Sequence, residues 1–179
     1  MAVPARLTHA VASLPLTRSS AVLEIGGGPG VAAQLVLERL GPDGSYLGVD
    51  RSEVAERRTR QRCADAGSPA RWDVRRGAIE DVAAMLPGAA YDLAFAVNVN
   101  VFWTSDASRL AAELHRVLHP EGSLWLFYET PTSTVGARVS DGVTRSLTGG
   151  GFDAVTAVAA SPRLGAFTAS RRPRGITNR

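Results

Sequence analysis

The stretch Val22-Leu23-Glu24-Ile25-Gly26-Gly27-Gly28-Pro29-Gly30 decides the fold, and Val31-Ala32-Ala33-Gln34-Leu35-Val36-Leu37 follows it at once. An apolar run ends in a carboxylate, a glycine-rich turn and the start of a helix. That sequence of elements brings bare backbone and a helix N-terminus against a ligand. Asp50 closes the next apolar run, Tyr46-Leu47-Gly48-Val49, 22 residues beyond Gly28. Strand, glycine turn, helix and a second strand ending in an acid form a nucleoside-binding half-fold. Its acid is placed to accept ribose hydroxyls.

Outward from this unit the chain alternates strands with helices. Leu7, Val11 and Leu14 recur at helical spacing, so a short helix over 4–13 precedes the first strand, 21–26. Val31, Leu35 and Val36 are expected to mark the packing face of the helix after the turn, which Gly41-Pro42-Asp43-Gly44 ends. An Arg/Glu-rich helix runs over 52–66 with Ser52 as N-cap, then a polar strand over 71–76 and a short helix over 80–86. The clearest later elements are a strand at 91–97 and a helix at 107–118, with Ser105 or Asp106 as its cap. The turn His119-Pro120-Glu121-Gly122 leads to a strand at 123–128 apolar enough to be buried on both faces. A helix within 135–147 ends at Gly149-Gly150-Gly151, and strands at 152–160 and 164–171 flank Ser161-Pro162-Arg163 as a hairpin. The expectation is an α/β doubly wound sheet, mostly parallel, closed by an antiparallel C-terminal hairpin.

Composition sets the bounds. At 179 residues, 45% hydrophobic and 21% charged, the chain suits one globular domain. Residues 1–19 are expected as a helical extension and 172–179 as a flexible tail. Cys63 is the sole cysteine, so no internal disulfide forms, and His9, His115 and His119 lack metal-ligand spacing. All twenty basic residues are arginine, and the net charge is +3. The clusters Arg57, Arg58, Arg60, Arg62 and Arg171, Arg172, Arg174, Arg179 read as a solvated helix face and a tail. No apolar run reaches the ~18 residues of a membrane span. Residues 1–16 lack the pattern of a signal peptide, and a cytoplasmic protein is expected.

The nucleoside is chosen by charge. Gly28-Pro29-Gly30-Val31-Ala32-Ala33 fits the G-x-G-x-x-A of nicotinamide enzymes only loosely. The fuller pattern is E-x-G-x-G-x-G at Glu24, Gly26, Gly28 and Gly30. A carboxylate two residues before the turn repels a pyrophosphate and attracts a cationic amino-acid tail. S-adenosylmethionine has such a tail, carries a sulfonium and has no phosphate.

On these residues the chain resembles the class I S-adenosylmethionine-dependent methyltransferases, particularly the compact small-molecule kind. VLEIGGGPG is similar to the family's first motif, YLGVDRS to its second and RRGAIEDV to the segment lining the adenine. YDLAFAVNVNVFW with LAAELHRVLHPEGSLWLFYE is similar to its strand-four and strand-five region. The resemblance implies a Rossmann-like sheet of seven strands in order 3-2-1-4-5-7-6. It also implies roles for single residues. Gly26, Gly27 and Gly28 would admit backbone to the methionine and ribose parts, and Glu24 would set the turn and attract the ammonium, directly or through water. Asp50 would hold the ribose, Ile79 would pack on adenine, and Asn98 would offer its carbonyl to the ammonium. Two positions depart from the family pattern. Arg51 replaces an apolar residue and can stack through its guanidinium plane. Ala78 replaces an Asp that reads the adenine amino group, a contact Glu80 can supply. The plain alternative for Glu80 is a helix N-terminal charge, and for Asp50 a helix cap.

Methyl transfer from a sulfonium needs alignment before it needs a base. Residues expected to face the acceptor follow strand four (Asn100, Phe102, Trp103, Asp106) and strand five (Tyr128, Glu129, Thr130). Phe102 and Trp103 form either an apolar wall or loop packing. No single one stands out as catalytic. Asn98-Val99-Asn100-Val101 lacks the Asp/Asn-Pro-Pro-Tyr/Phe of amino-base methyltransferases, so nucleic acid is disfavoured. The expected acceptor is a small molecule, in a pocket built from the first helix and the loops near 100 and 132. Two other readings compete: a nicotinamide-dependent oxidoreductase, disfavoured by Glu24 and the absence of lysine, and a non-catalytic binding module of the same fold.

Overall fold

The structure, a computed structural model, describes residues 3–131 and 134–171. Seven strands form one sheet in the order β3-β2-β1-β4-β5-β7-β6. They are β1 (Ala21–Ile25), β2 (Ser45–Asp50), β3 (Arg71–Arg76), β4 (Tyr91–Val97), β5 (Leu118–Glu129), β6 (Asp153–Ser161) and β7 (Leu164–Ser170). The first five are mutually parallel, while β7 pairs antiparallel with both β5 and β6. The expected architecture and order are the observed ones. The tail expected at 172–179 and the loop at 132 lie outside the described residues.

Alternation along the central strands makes the sheet two-sided. Leu23 and Ile25 of β1, Ala94 and Ala96 of β4, and Leu124, Leu126 and Tyr128 of β5 face one core. That core is completed by α4 (Ile79–Met85), α5 (Val101–Thr104), α6 (Ser108–Val117) and α7 (Ala137–Gly149). Val22, Leu93, Phe95 and Phe127 face the opposite core, with α1 (Ala5–Ser13), α2 (Val31–Leu37) and α3 (Glu53–Asp65). Period-two side-chain alternation under helices on both faces is what an open parallel sheet requires. All ligand-facing loops therefore leave from one edge, the carboxyl ends of the parallel strands.

Local chemistry sets the helix ends. Ser52 Oγ accepts from the Ala55 N–H at 3.2 Å and caps α3 as expected. Asp106 accepts from the Ser108 N–H at 2.9 Å and from its hydroxyl at 2.6 Å, ordering the entry to α6. Arg116 of α6 donates to the carbonyls of Ala83 and Leu86 at 2.7 and 2.9 Å, closing the far end of α4. On α3, Arg60 pairs with Glu56 and Asp73 at 3.2 Å each, so part of the basic run is neutralised on the surface.

Three details differ from the sequence reading. The buried face of α2 is Ala32, Ala33, Val36 and Leu37, and not Val31 or Leu35, because α2 packs between α1, α3 and β2 on that face. Residues 119–122 do not separate helix from strand: β5 already pairs at Leu118, opposite Tyr91, and resumes with Ser123 opposite Leu93. The expected turn is thus an irregularity carried inside the strand. The third is α5, a single turn that sequence reading left as loop. A Cβ on Gly142 of α7 would lie 2.8 Å from the Trp103 Cα of α5, so these helices meet backbone to backbone. Gly142→Ala should cost about 1–3 kcal/mol in denaturant unfolding through this overpacking, and an unchanged stability would contradict the close packing.

Candidate functional site

The strand ends of β1 and β2 and the glycine bend between β1 and α2 are tied by backbone donors. Gly26 donates to the Val49 carbonyl at 2.8 Å, and Gly77, after β3, donates to the Asp50 carbonyl at 2.9 Å. The Asp50 carboxylate accepts from the Gly28 N–H at 3.0 Å through one oxygen and from the Ser52 N–H at 2.8 Å through the other. A carboxylate has about four lone-pair sites, so both oxygens keep capacity for hydroxyl donors.

Two glycines are required by close contact. Gly26, at φ +68°, would place a Cβ 2.7 Å from a Val99 methyl. Gly30, at φ +78° and the N-cap of α2, would place one 2.6 Å from the Thr59 Cα of α3. Thr59 in turn donates its hydroxyl to the Gly28 carbonyl at 3.0 Å. A Cβ on Gly28, by contrast, meets nothing within 4 Å. The bend is pinned from behind and open in front.

In front of it lies a cavity of about 260 Å³. Ile25, Val49, Ile79, Val99 and Val101 give it apolar walls; Asp50, Arg51 and Glu80 supply its charges. Arg51 and Glu80 pair at 3.3 Å. The expected stacking guanidinium is therefore engaged by the very carboxylate expected to read a base edge. Glu80 also sits in the first turn of α4, where its helix N-terminal reading places it.

Glu24 is placed differently from the other candidates. It is 3% exposed, and its carboxyl carbon lies 3.3 Å from where a Cβ on Gly27 would stand. It sits under the bend and does not line the cavity. The Tyr46 hydroxyl donates to it at 2.6 Å. Burial, and to a smaller extent the negative Asp50, push its pKa up to about 7, against the lowering effect of the Tyr46 hydrogen bond. The sequence reading treated Glu24 as a fixed anion; its surroundings make that charge conditional near neutral pH.

Gly26, Asp50, Arg51, Ile79 and Glu80 are thus gathered on one cavity, with Gly27 next to the Glu24 carboxyl and Gly28 held by the Asp50 carboxylate. Ala78 is the N-cap of α4, with its carbonyl accepting from Val82 at 3.0 Å. Asn98 turns at φ +56°: its N–H donates to the Phe127 carbonyl and its side-chain oxygen accepts from the Glu129 N–H, both at 2.8 Å. Neither Ala78 nor Asn98 lines the cavity. Val99 and Val101 do, and sequence reading missed them, although the alternation Asn98-Val99-Asn100-Val101 carries the signal.

The acceptor-side candidates mostly resolve into structure. Phe102 is fully buried in the core, so it packs the loop and is no acceptor wall. Tyr128 is 5% exposed and donates to the Val99 carbonyl at 3.1 Å, and burial pushes its phenol pKa far up. It holds the cavity wall and is no base. Asp106 is occupied by Ser108, whose hydrogen bonds lower its pKa. Trp103 does not line the cavity; it is half-buried, donating to Asn100 at 3.2 Å with the Arg138 guanidinium 5.8 Å over its ring. Glu129 pairs with Arg6 at 3.7 Å, bringing α1 to the same edge. Thr130 follows β5, its N–H donating to the Arg163 carbonyl at 3.1 Å. Among the described residues no cluster of potential metal ligands occurs and no helix is long and apolar enough to cross a membrane.

A family model described as methyltransferase domain matches residues 22–122. The chain belongs to this family, as a class I S-adenosylmethionine-dependent methyltransferase by sequence and fold. It is 35% identical over 114 residues to trans-aconitate 2-methyltransferase of Azoarcus sp. (strain BH72), a match covering 64% of this chain and 41% of that protein. Among solved structures it is similar to a SAM-dependent methyltransferase from Aquifex aeolicus, with TM-score 0.72 and 18% identity over 92% of this chain and 89% of that one. It is also similar to a geranyl diphosphate methyltransferase in complex with SAM, with TM-score 0.68 and 13% identity over 93% and 84% of the two chains. A third likeness is to the [4+2]-cyclase SpnF, with TM-score 0.72 and 18% identity over 94% and 80%.

Glu24 also makes a stability prediction. Its folded pKa lies above its ordinary 4.5, so its contribution is complete below pH 4.5 and is lost as pH rises through about 7. The full loss is about 3 kcal/mol. Glu24→Gln removes the ionisation, so the ligand-free variant should gain stability over the parent between pH 5 and pH 8. Denaturant melts at the two pH values check this, and a parallel pH response in both proteins would contradict it.

Proposed function

We propose that this chain transfers the methyl group of S-adenosylmethionine to a small-molecule acceptor. The observation that carries the reading is the pairing of an apolar cavity with Asp50 at its edge and a buried carboxylate under the bend. That set suits an adenosyl compound with a cationic tail and offers a pyrophosphate only Arg51, which is already paired with Glu80. Asp50 would accept the ribose hydroxyls. Ile79, Val99 and Val101 would enclose the adenine, with Arg51 and Glu80 at its edge and the Ala78 backbone nearby. Gly26, Gly27 and Gly28 would lie along the methionine part, with Glu24 beneath them and the Asn98 carbonyl facing the ammonium. The donor, when bound, supplies an activated methyl carbon. The protein's task is then to align the acceptor in line with it and exclude water, an effect worth roughly 7–11 kcal/mol in well-oriented systems. No side chain is assigned as general base.

The acceptor reading rests on the edge formed by α1, α5 and the start of α7. Arg138 over Trp103 offers a held positive charge beside an apolar surface. By its name, the Azoarcus relative acts on trans-aconitate, a carboxylate. A carboxylate-bearing acceptor therefore fits this edge best. Because the match covers 41% of that relative, the acceptor's identity stands as part of the proposal. The described residues are taken to work as a single domain, and the buried, unpaired Cys63 suits a reducing compartment such as the cytoplasm.

Calorimetry tests the donor. S-adenosylhomocysteine should bind and NAD should not, and Asp50→Ala should weaken the former at least about tenfold through loss of charge-assisted hydrogen bonds. Tight NAD binding without S-adenosylhomocysteine binding would overturn the proposal in favour of an oxidoreductase. For the acceptor, methyl incorporation from labelled donor into small carboxylic acids is the assay. Arg138→Leu should raise KM about tenfold with kcat nearly unchanged, as loss of uniform binding does.

A further inference from the structure

Beneath the glycine bend, on the sheet face away from the cavity, three ionisable side chains are buried together. Glu24 comes from β1, Tyr46 from β2 and Cys63 from α3. In the parallel register Glu24 lies opposite Gly48, and Tyr46 opposite Val22. Tyr46 and Gly48 are two residues apart and share a face. The Tyr46 ring leans along the strand over Gly48 and reaches Glu24 diagonally at 2.6 Å. Gly48 makes this possible: a Cβ there would stand 2.7 Å from the Tyr46 oxygen and 3.3 Å from two ring carbons. The strand thus gives up a side chain where it would block the phenol.

From this geometry, and resting on the donor site proposed above, we infer that Tyr46 is a positioning residue for the methyl donor. Its hydroxyl holds Glu24 as an oriented carboxylate under the bend, so that the bend receives a cationic tail. A Cβ on Gly27 would stand 3.3 Å from the carboxyl carbon and 3.4 and 3.5 Å from its oxygens, so the bare backbone of the bend comes directly against that carboxylate. In such a dry setting a single charge is felt strongly across a few ångströms.

The groups facing Glu24 are few. Tyr46 and Asp50 come from β2 and Cys63 from α3, while Phe95 of β4 lies opposite it in register. Asp50 opposes the negative charge of Glu24, and the Cys63 thiol, pushed up to about 12 mainly by burial, stays neutral. Tyr46 is thereby the only one of these groups that favours the ionised carboxylate. A tyrosine whose own ionisation is pushed well above its usual value keeps its proton and always donates. Binding of a cation in front of the bend then draws the remaining proton off Glu24.

Tyr46→Phe tests this by calorimetry with S-adenosylhomocysteine between pH 6 and pH 8.5, in buffers of different ionisation enthalpy. At pH 7 the parent should release about half a proton on binding, since Glu24 is near half-ionised there. The variant should release nearer one proton and bind about tenfold more weakly, with the ratio of the two Kd values shrinking to about two- to threefold at pH 8.5. The ratio cancels titration of the ligand's own amine. Gly48→Ala, which displaces the phenol without deleting it, should shift the same profile in the same direction. A Kd ratio independent of pH, with equal proton release, would overturn the inference while leaving the donor site standing. Failure of the parent protein to bind S-adenosylhomocysteine would overturn both.

Discussion

The whole arrangement depends on one knot: the Asp50 carboxylate receiving the Gly28 and Ser52 N–H groups at 3.0 and 2.8 Å. This contact fixes the glycine bend to the end of the neighbouring strand and sets the entry to α3 at the same time. Every other element of the site refers to it. Thr59 reaches the Gly28 carbonyl from α3, Gly30 admits α3 to the bend, and Gly77 brings the end of β3 to the Asp50 carbonyl. The bend keeps its shape because donors and acceptors on three segments are satisfied within it.

Such a framework explains why the glycine-rich stretch can be so bare. Side chains are missing where helix, strand or cavity wall comes within contact distance, and backbone takes over the role of surface. The negative charge is carried at two depths. Asp50 faces the cavity, whereas Glu24 lies behind the bend with a tyrosine hydroxyl as its polar partner. Placing the two carboxylates apart lets one serve hydroxyl groups while the other answers charge.

Sequence reading recovered the order of elements because its strongest signals are local. Glycine turns, caps and apolar alternation set β1, β2, β4 and the final hairpin almost to the residue. It failed where tertiary contact outweighs local pattern. His119-Pro120-Glu121-Gly122 has turn chemistry, but pairing with β4 on both sides absorbs it into β5. Val31 and Leu35 are larger apolar residues than Ala32 and Ala33, but the face α2 turns to its neighbours is set by Ala32, Ala33, Val36 and Leu37. Tyr128 was expected at a ligand because it falls after a strand, and Phe102 either there or packing the loop. A helical turn at 101–104 and a hydrogen bond to the Val99 carbonyl draw them into the interior instead. Of the candidate residues read from motif position, Gly26, Asp50, Arg51, Ile79 and Glu80 line one cavity, whereas Glu24, Ala78 and Asn98 do not. The apolar residues Val99 and Val101 were missed, although their alternation with Asn98 and Asn100 carried the signal.

Arg116 stands at the other end of α4 from Ile79 and Glu80, bonded to the carbonyls of Ala83 and Leu86. A helix of 7 residues has too few internal bonds to be stiff by itself. Clamped at its rear by a guanidinium on α6, it behaves as a short beam fixed at one end, and the cavity wall it carries inherits the rigidity of a helix that never touches that cavity.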